Sequence, residues 1–133
     1  IDMFDPFDNF VLTTSKINHS ELLTYLKITD IFLFASTCEN MPNTLIEGMS
    51  TSLPIICSDY GPMPEVIQDS ALFFDPEKVN TIVKSLHEII TNDNLRLKKA
   101  KKSYELSTEF SWKKCSHQTF EFINNKIANM TKV

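Results

Sequence analysis

The chain has 133 residues, 42% of them hydrophobic, and a formal net charge of -4. That length supports one domain at most, large enough to remove about two thirds of its unfolded surface from water, and the apolar fraction excludes a disordered chain. The acidic balance argues against a nucleic-acid partner, which takes a basic face to neutralise phosphates.

Residues 1–9 carry a proline and three aspartates among aromatics and predict an irregular lead-in. Phe10 to Thr13 is a short β-prone run. Asn18 and Glu21 have the spacing of a capping box, and Leu22, Leu23, Tyr25 and Leu26 behind them predict a helix of about two turns. Ile31 to Ala35 is apolar at every position, which predicts a strand buried on both faces and hence a parallel sheet.

The run then gives way to Cys38-Glu39-Asn40-Met41-Pro42-Asn43-Thr44-Leu45-Ile46-Glu47. Pro42 suits the first helical position, where a missing N–H costs nothing, and the helix is expected to reach Ser50 and to bury Leu45, Ile46 and Met49. A strand feeding a helix start is suited to anions, because the first N–H groups are unpaired and the helix dipole adds partial positive charge. Glu39 and Glu47 bracket that junction, free to accept hydrogen bonds from hydroxyls.

Pro54 to Cys57 is the next buried strand. Gly61-Pro62-Met63-Pro64 is a turn into a brief helix with Glu65 near its start, where a carboxylate complements the dipole. Ala71 to Phe74 is a further strand. Asp75-Pro76-Glu77 reads as N-cap, N1 and N2 of a long helix with Val79, Ile82, Val83, Leu86, Ile89 and Ile90 on one face. Asn92 to Asn94 breaks it, a more polar helix runs to Ser107, and Ser111 opens a last one with Trp112, Cys115, Thr119, Ile123 and Ile127 on one side. Strands and helices in alternation make an α/β domain with a parallel sheet.

Cys38, Cys57 and Cys115 are an odd number without a C-x-x-C spacing, which favours free thiols in a reducing compartment and disfavours zinc. His19, His87 and His117 match no catalytic triad and are assigned surface or structural roles. Lys98, Lys99, Lys101 and Lys102 read first as a solvated helix face, with contact to an anionic membrane surface as the functional alternative. No stretch has the length of a membrane-spanning helix and nothing resembles a signal peptide, so a cytoplasmic location is expected, peripheral at most to the inner face of a membrane.

The order Glu39-x7-Glu47, then Leu53-Pro54-Ile55-Ile56, Gly61-Pro62-Met63-Pro64-Glu65-Val66-Ile67, then Leu72-Phe73-Phe74-Asp75-Pro76, with Asp30-Ile31 before it and Phe110-Ser111-Trp112 after it, resembles the C-terminal half of family 4 glycosyltransferases of the GT-B fold. The resemblance covers Val11 to the end. It implies a Rossmann-like half-domain: the last four strands, from Phe10–Thr13 onward, of a six-stranded sheet of order 3-2-1-4-5-6, followed by C-terminal helices. In domain terms, residues 1–9 lead in, 10–108 form the α/β core and 109–133 the C-terminal helix, which in the family crosses back toward an N-terminal domain. Ser15 and Ser52 stand where relatives commonly have glycine, and a left-handed conformation there would cost about 1 kcal/mol.

What the resemblance implies for chemistry is binding of a nucleotide sugar. Glu47 would accept from the ribose hydroxyls and Glu39 from the donor sugar, with the backbone of the Asn40-Met41-Pro42-Asn43-Thr44 segment bringing its N–H groups near the sugar and diphosphate, and the Asn43 and Thr44 side chains on phosphate. No metal or other cofactor is implied, and no catalytic residue is assigned. The reaction would be retaining transfer to a saccharide or lipid-linked acceptor, held by an N-terminal domain, in surface polysaccharide or glycolipid synthesis. The chain starts at Ile1 rather than at a methionine and reads as a piece of something longer, expected to be inactive by itself. Two other readings remain: a non-catalytic nucleotide-sugar-binding remnant or interaction module, and another GT-B enzyme such as a sugar-nucleotide epimerase or a glycogen-synthase relative.

Overall fold

The computed structural model describes residues 10–130, so the lead-in expected over residues 1–9 lies outside the described residues. The elements are α1 (His19–Lys27), β1 (Phe32–Phe34), α2 (Asn43–Ser50), β2 (Ile55–Ser58), α3 (Met63–Ile67), a 3-10 turn (Gln68–Ser70), β3 (Leu72–Phe74), α4 (Val79–Thr91), α5 (Asp93–Ser107) and α6 (Trp112–Met130). The three strands pair in parallel in the order β1-β2-β3, with Phe32 opposite Ile55 and Phe34 opposite Cys57, and Ile56 opposite Leu72 and Ser58 opposite Phe74.

Alternation along the central strand divides the core. Ile55 and Cys57 join Leu45, Met49, Met63, Val66, Ile67 and Ala71 in a cluster under α2, α3 and α5, while Ile56 joins Phe74 and Ile89 beneath α4. Every residue of β2 is buried, which is why this strand reads as continuously apolar. A sheet covered by helices on both faces is the α/β layering expected from the sequence.

Several expectations need correction. Phe10–Thr13 forms no strand, so the described sheet has three strands rather than four, and Phe10 and Leu12 are exposed. In β1, Phe32 and Phe34 pack toward α2 but Leu33 is 38% exposed, because α4 covers β2 and β3 on that face and does not extend over β1. Pro42 is the N-cap of α2, not its first residue: its φ of -79° and ψ of 72° are not helical. The long helix begins at Val79, with Lys78 as N-cap. Asp75 instead closes a turn, its carboxylate accepting from the Glu77 N–H at 3.0 Å and its carbonyl from the Lys78 N–H at 3.0 Å. The buried stripe of α4 is narrower than the apolar pattern: Ile82, Leu86 and Ile89 face the core, whereas Val79, Val83 and Ile90 are exposed.

Ser52 takes the left-handed conformation expected of it, at φ 60°, but Ser15 does not; the other left-handed non-glycine among the described residues is Gln68, at φ 50°. The lysine run is not simply a solvated face. Lys99 donates to the carbonyls of Asp69 at 2.6 Å and Ala71 at 3.1 Å, and Lys102 pairs with the Asp69 carboxylate, fastening α5 to the turn before β3. No residue of α6 is buried, and Trp112 at its start is 80% exposed.

Candidate functional site

In a parallel sheet the loops leaving the carboxyl ends of the strands gather along one rim, and ligands bind there in open α/β folds. Three such loops lie on this rim, and they differ in how far their polar groups are already engaged. After β2, the Asp59 N–H donates to the Phe74 carbonyl at 3.0 Å and the Tyr60 N–H to Ser58 Oγ at 3.2 Å. After β3, Lys78 Nζ sits 2.6 Å from the Asp75 carboxylate. That ammonium, with the Glu77 N–H, holds Asp75 below the usual carboxylate range, and Asp75 in turn raises Lys78. Partial burial and the nearby carboxylates of Asp75 and Glu77 push the Tyr60 phenol up.

The loop after β1 is different. Pro42 is fully buried and anchors the start of α2, and its carbonyl accepts from the N–H groups of Leu45 at 3.0 Å and Ile46 at 3.2 Å. Gly48 completes the anchor: a Cβ there would come 2.5 Å from the Phe32 ring, so the absence of a side chain lets α2 lie directly against β1. The backbone is therefore held while the polar side chains are not. Among the described residues, Glu39, Asn40, Asn43 and Thr44 form no side-chain hydrogen bond or ion pair, and no side chain caps α2.

The backbone donors are fewer than the sequence implies. Pro42 has no N–H, and that of Asn43 donates to the Met41 carbonyl at 2.9 Å, which leaves Thr44 as the first-turn donor of α2 without an internal acceptor among the described residues. Glu39 is half-buried in the loop, Asn40, Met41, Asn43 and Thr44 are exposed, and Glu47 lies one turn into the helix. Among the described residues, the Glu47 carboxylate meets the imidazole of His19 at the start of α1, with Nδ1 3.5 Å from Oε1. Sequence reasoning left His19 as a surface residue; the capping box that fixes the start of α1 was the available signal.

Met41 alone of this segment also lines an open cleft of about 770 Å³, whose walls include Gln68, Phe110, Lys114, Cys115 and Phe122. Among the described residues, no three His, Cys, Asp or Glu side chains converge as metal ligands, and no helix is long and apolar enough to cross a membrane. Cys57 is buried and its thiol is pushed up to about 12, which removes it as a nucleophile at neutral pH; Cys38 and Cys115 are exposed free thiols.

Comparison with known proteins narrows what this rim belongs to. A family model described as glycosyl transferases group 1 matches residues 8–106. O-antigen chain mannosyltransferase B of Escherichia coli is 30% identical over 88 residues, which is 66% of this chain and 23% of that protein. Sucrose-phosphate synthase from Thermosynechococcus elongatus superposes with a TM-score of 0.81 at 18% identity, over 96% of this chain and 33% of that one. The C-terminal domain of a group 1 glycosyl transferase from Francisella tularensis does so with a TM-score of 0.70 at 24% identity, over 81% of this chain and 57% of that one. The chain thus spans about a quarter of the Escherichia coli relative's length. Its three parallel strands and their helices have the fold of a GT-B C-terminal domain, and with the family match running over most of its length the chain belongs to the glycosyl transferases group 1 family.

Proposed function

We propose that this chain is the donor-binding part of a retaining family 4 glycosyltransferase, which takes a sugar from a nucleotide sugar and passes it to a saccharide or lipid-linked acceptor held by another part of the protein. The observation that carries this reading is the contrast along the rim. The polar groups after β2 and β3 are engaged with one another, whereas Glu39, Asn40, Asn43 and Thr44 stand on an anchored backbone with their hydrogen-bonding capacity open.

In the proposed mode, the Glu47 carboxylate accepts from the ribose hydroxyls and Glu39 from hydroxyls of the sugar. The Thr44 N–H and the side chains of Asn43 and Thr44 donate to the diphosphate at the positive end of α2. As the glycosidic bond to the diphosphate breaks, charge develops on the departing oxygen, and donors fixed in advance stabilise it without reorganising. The two glutamates bind; they are not a hydrolase-type acid and base pair. No metal enters this scheme. The name of the Escherichia coli relative, an O-antigen chain mannosyltransferase, supports a saccharide acceptor and a role in surface polysaccharide synthesis.

The test is calorimetric titration of the full-length protein with a panel of nucleotide sugars, comparing wild type with Glu47→Ala. Loss of hydrogen bonds to a charged acceptor is expected to weaken donor binding about ten- to a hundredfold. Wild type that binds no nucleotide sugar, or a variant that binds one equally well, overturns the donor-site assignment.

A further inference from the structure

Glu47 carries the ribose in the proposed mode, yet it is a long side chain on a helix surface, and a carboxylate free to sample rotamers loses that freedom when a ligand binds. The chain topology supplies a restraint. Helix α1 leads into β1 through a short connection, so it runs antiparallel to the strand and its first residue returns to the rim where β1 ends and α2 begins. Nine helical residues rise about 13 Å, enough to pass the length of β1 and reach that rim.

The start of α1 is set with care. Asn18 Oδ1 accepts from the Glu21 N–H at 3.0 Å, Glu21 Oε2 accepts from the Asn18 N–H at 3.1 Å, and Ser20 Oγ donates to Asn18 Oδ1 at 2.6 Å. Asn18, Ser20 and Glu21 are thus engaged within the cap, and Leu26, 5% exposed, anchors the other end of the helix. His19 is the residue of this cap whose side chain reaches outward, and it meets Glu47, Nδ1 to Oε1, at 3.5 Å.

The geometry points to His19 as a positioning residue that orients the Glu47 carboxylate for the vicinal hydroxyls of a ribonucleotide. This rests on the proposed role of Glu47. With Oε1 turned to the imidazole, Oε2 and the remaining lone pairs face away from it, available to a diol. The two side chains are 65% and 30% exposed, and a polar contact that wet contributes little to folding stability. Its consequence is therefore specificity: the contact favours ligands that carry ribose hydroxyls and is indifferent to those that lack them.

The experiment uses the full-length protein, titrated with UDP, GDP and ADP and with their 2′,3′-dideoxy counterparts, in wild type, His19→Ala, His19→Gln, Glu47→Ala and the double variant. His19→Ala is expected to weaken the ribonucleotide that binds by about three- to tenfold, to leave its dideoxy counterpart unchanged, and to keep the melting temperature of wild type. It is expected to add nothing in the Glu47→Ala background, and His19→Gln, which keeps a donor, to recover part of the preference. His19→Ala that weakens both nucleotides alike, that changes neither, or that remains additive with Glu47→Ala overturns the proposal. Glu47→Ala that retains the full ribose preference, or wild type that binds none of the nucleotides, overturns instead the donor reading beneath it.

Discussion

Five serines are buried among the described residues, and one of them stands apart. Ser58 accepts from the Tyr60 N–H, while Ser70, Ser85 and Ser107 donate to carbonyls; Ser103, 0% exposed on α5, has an Oγ with no partner. A buried hydroxyl left without a hydrogen bond costs about 1–3 kcal/mol, and alanine is the better helix former by about 0.5 kcal/mol. Against these, the small void left by one oxygen costs about 0.3 kcal/mol at ~24 cal/mol per Å³. Ser103→Ala is therefore expected to stabilise the fold by about 1 kcal/mol or more, a rise of roughly 3–5 °C in melting temperature for a domain this size. Ser85 supplies the opposite sign. It is 7% exposed, and its Oγ donates to the Phe73 carbonyl at 2.9 Å; β3 is an outer strand of the described sheet, so that hydroxyl stands in for a ladder partner. Ser85→Ala removes a bond worth about 1 kcal/mol and leaves a desolvated carbonyl, for a net loss of about 1 kcal/mol after the gain in propensity. Urea unfolding followed by far-ultraviolet circular dichroism reads both, with an unchanged slope marking a true stability change. Ser103→Ala that destabilises, or two serines that shift stability in the same direction, refutes the reasoning.

Two further outcomes follow from local geometry. Ser52 at φ 60° carries a left-handed penalty of about 1–2 kcal/mol, partly offset by the extra unfolded-state entropy of glycine at about 0.4–1 kcal/mol; Ser52→Gly is expected to gain about 0.5 kcal/mol in the same unfolding assay, and a loss would contradict it. Asp69, held by Lys102, and Asp75, held by Lys78 and the Glu77 N–H, are both lowered from 3.8. Groups with depressed folded values contribute stability that is fully present above 3.8 and is lost as pH falls through those lower values. Stability measured from pH 6 down to pH 2 should therefore fall less steeply in Asp69→Asn and Asp75→Asn than in wild type, and an unchanged acid limb in both variants would contradict the pairing.

Much of the fold was legible because its signals are local. The Asn18 and Glu21 capping box, the Asn92 break and the three apolar runs each act within a few residues, and all of them appear in the structure. What was not legible depends on neighbours. Phe10–Thr13 has strand composition but is not part of the three-stranded sheet. Leu33 belongs to an apolar strand yet is exposed, because coverage of its face is a property of α4 and not of β1. Asp75-Pro76-Glu77 fits a helix start by residue type, but the Asp75 carboxylate closes a tighter turn and the helix waits for Val79. Trp112 and the apolar side of α6 carry a core pattern, yet no residue of that helix is buried.

The candidate site divides in the same way. Glu39 and Glu47 were visible as a spaced pair at a strand-to-helix junction, since both the strand and the proline-anchored helix are read from local sequence. Two other features depend on tertiary placement, the close approach of Gly48 to Phe32 and the return of His19 to the rim, and a third on the local turn, the Asn43 N–H taken by the Met41 carbonyl. Taken together they change what the segment can do. With Pro42 buried and Gly48 against β1, the backbone of α2 is anchored, so in the proposed mode fit falls to side chains. In the proposed mode Glu47 is then the adjustable side chain on an anchored backbone, oriented by the neighbour that α1 brings to it. On the proposed donor reading, the selectivity of this rim for hydroxyl-bearing ligands would therefore depend on a residue 28 positions upstream of the carboxylate it serves.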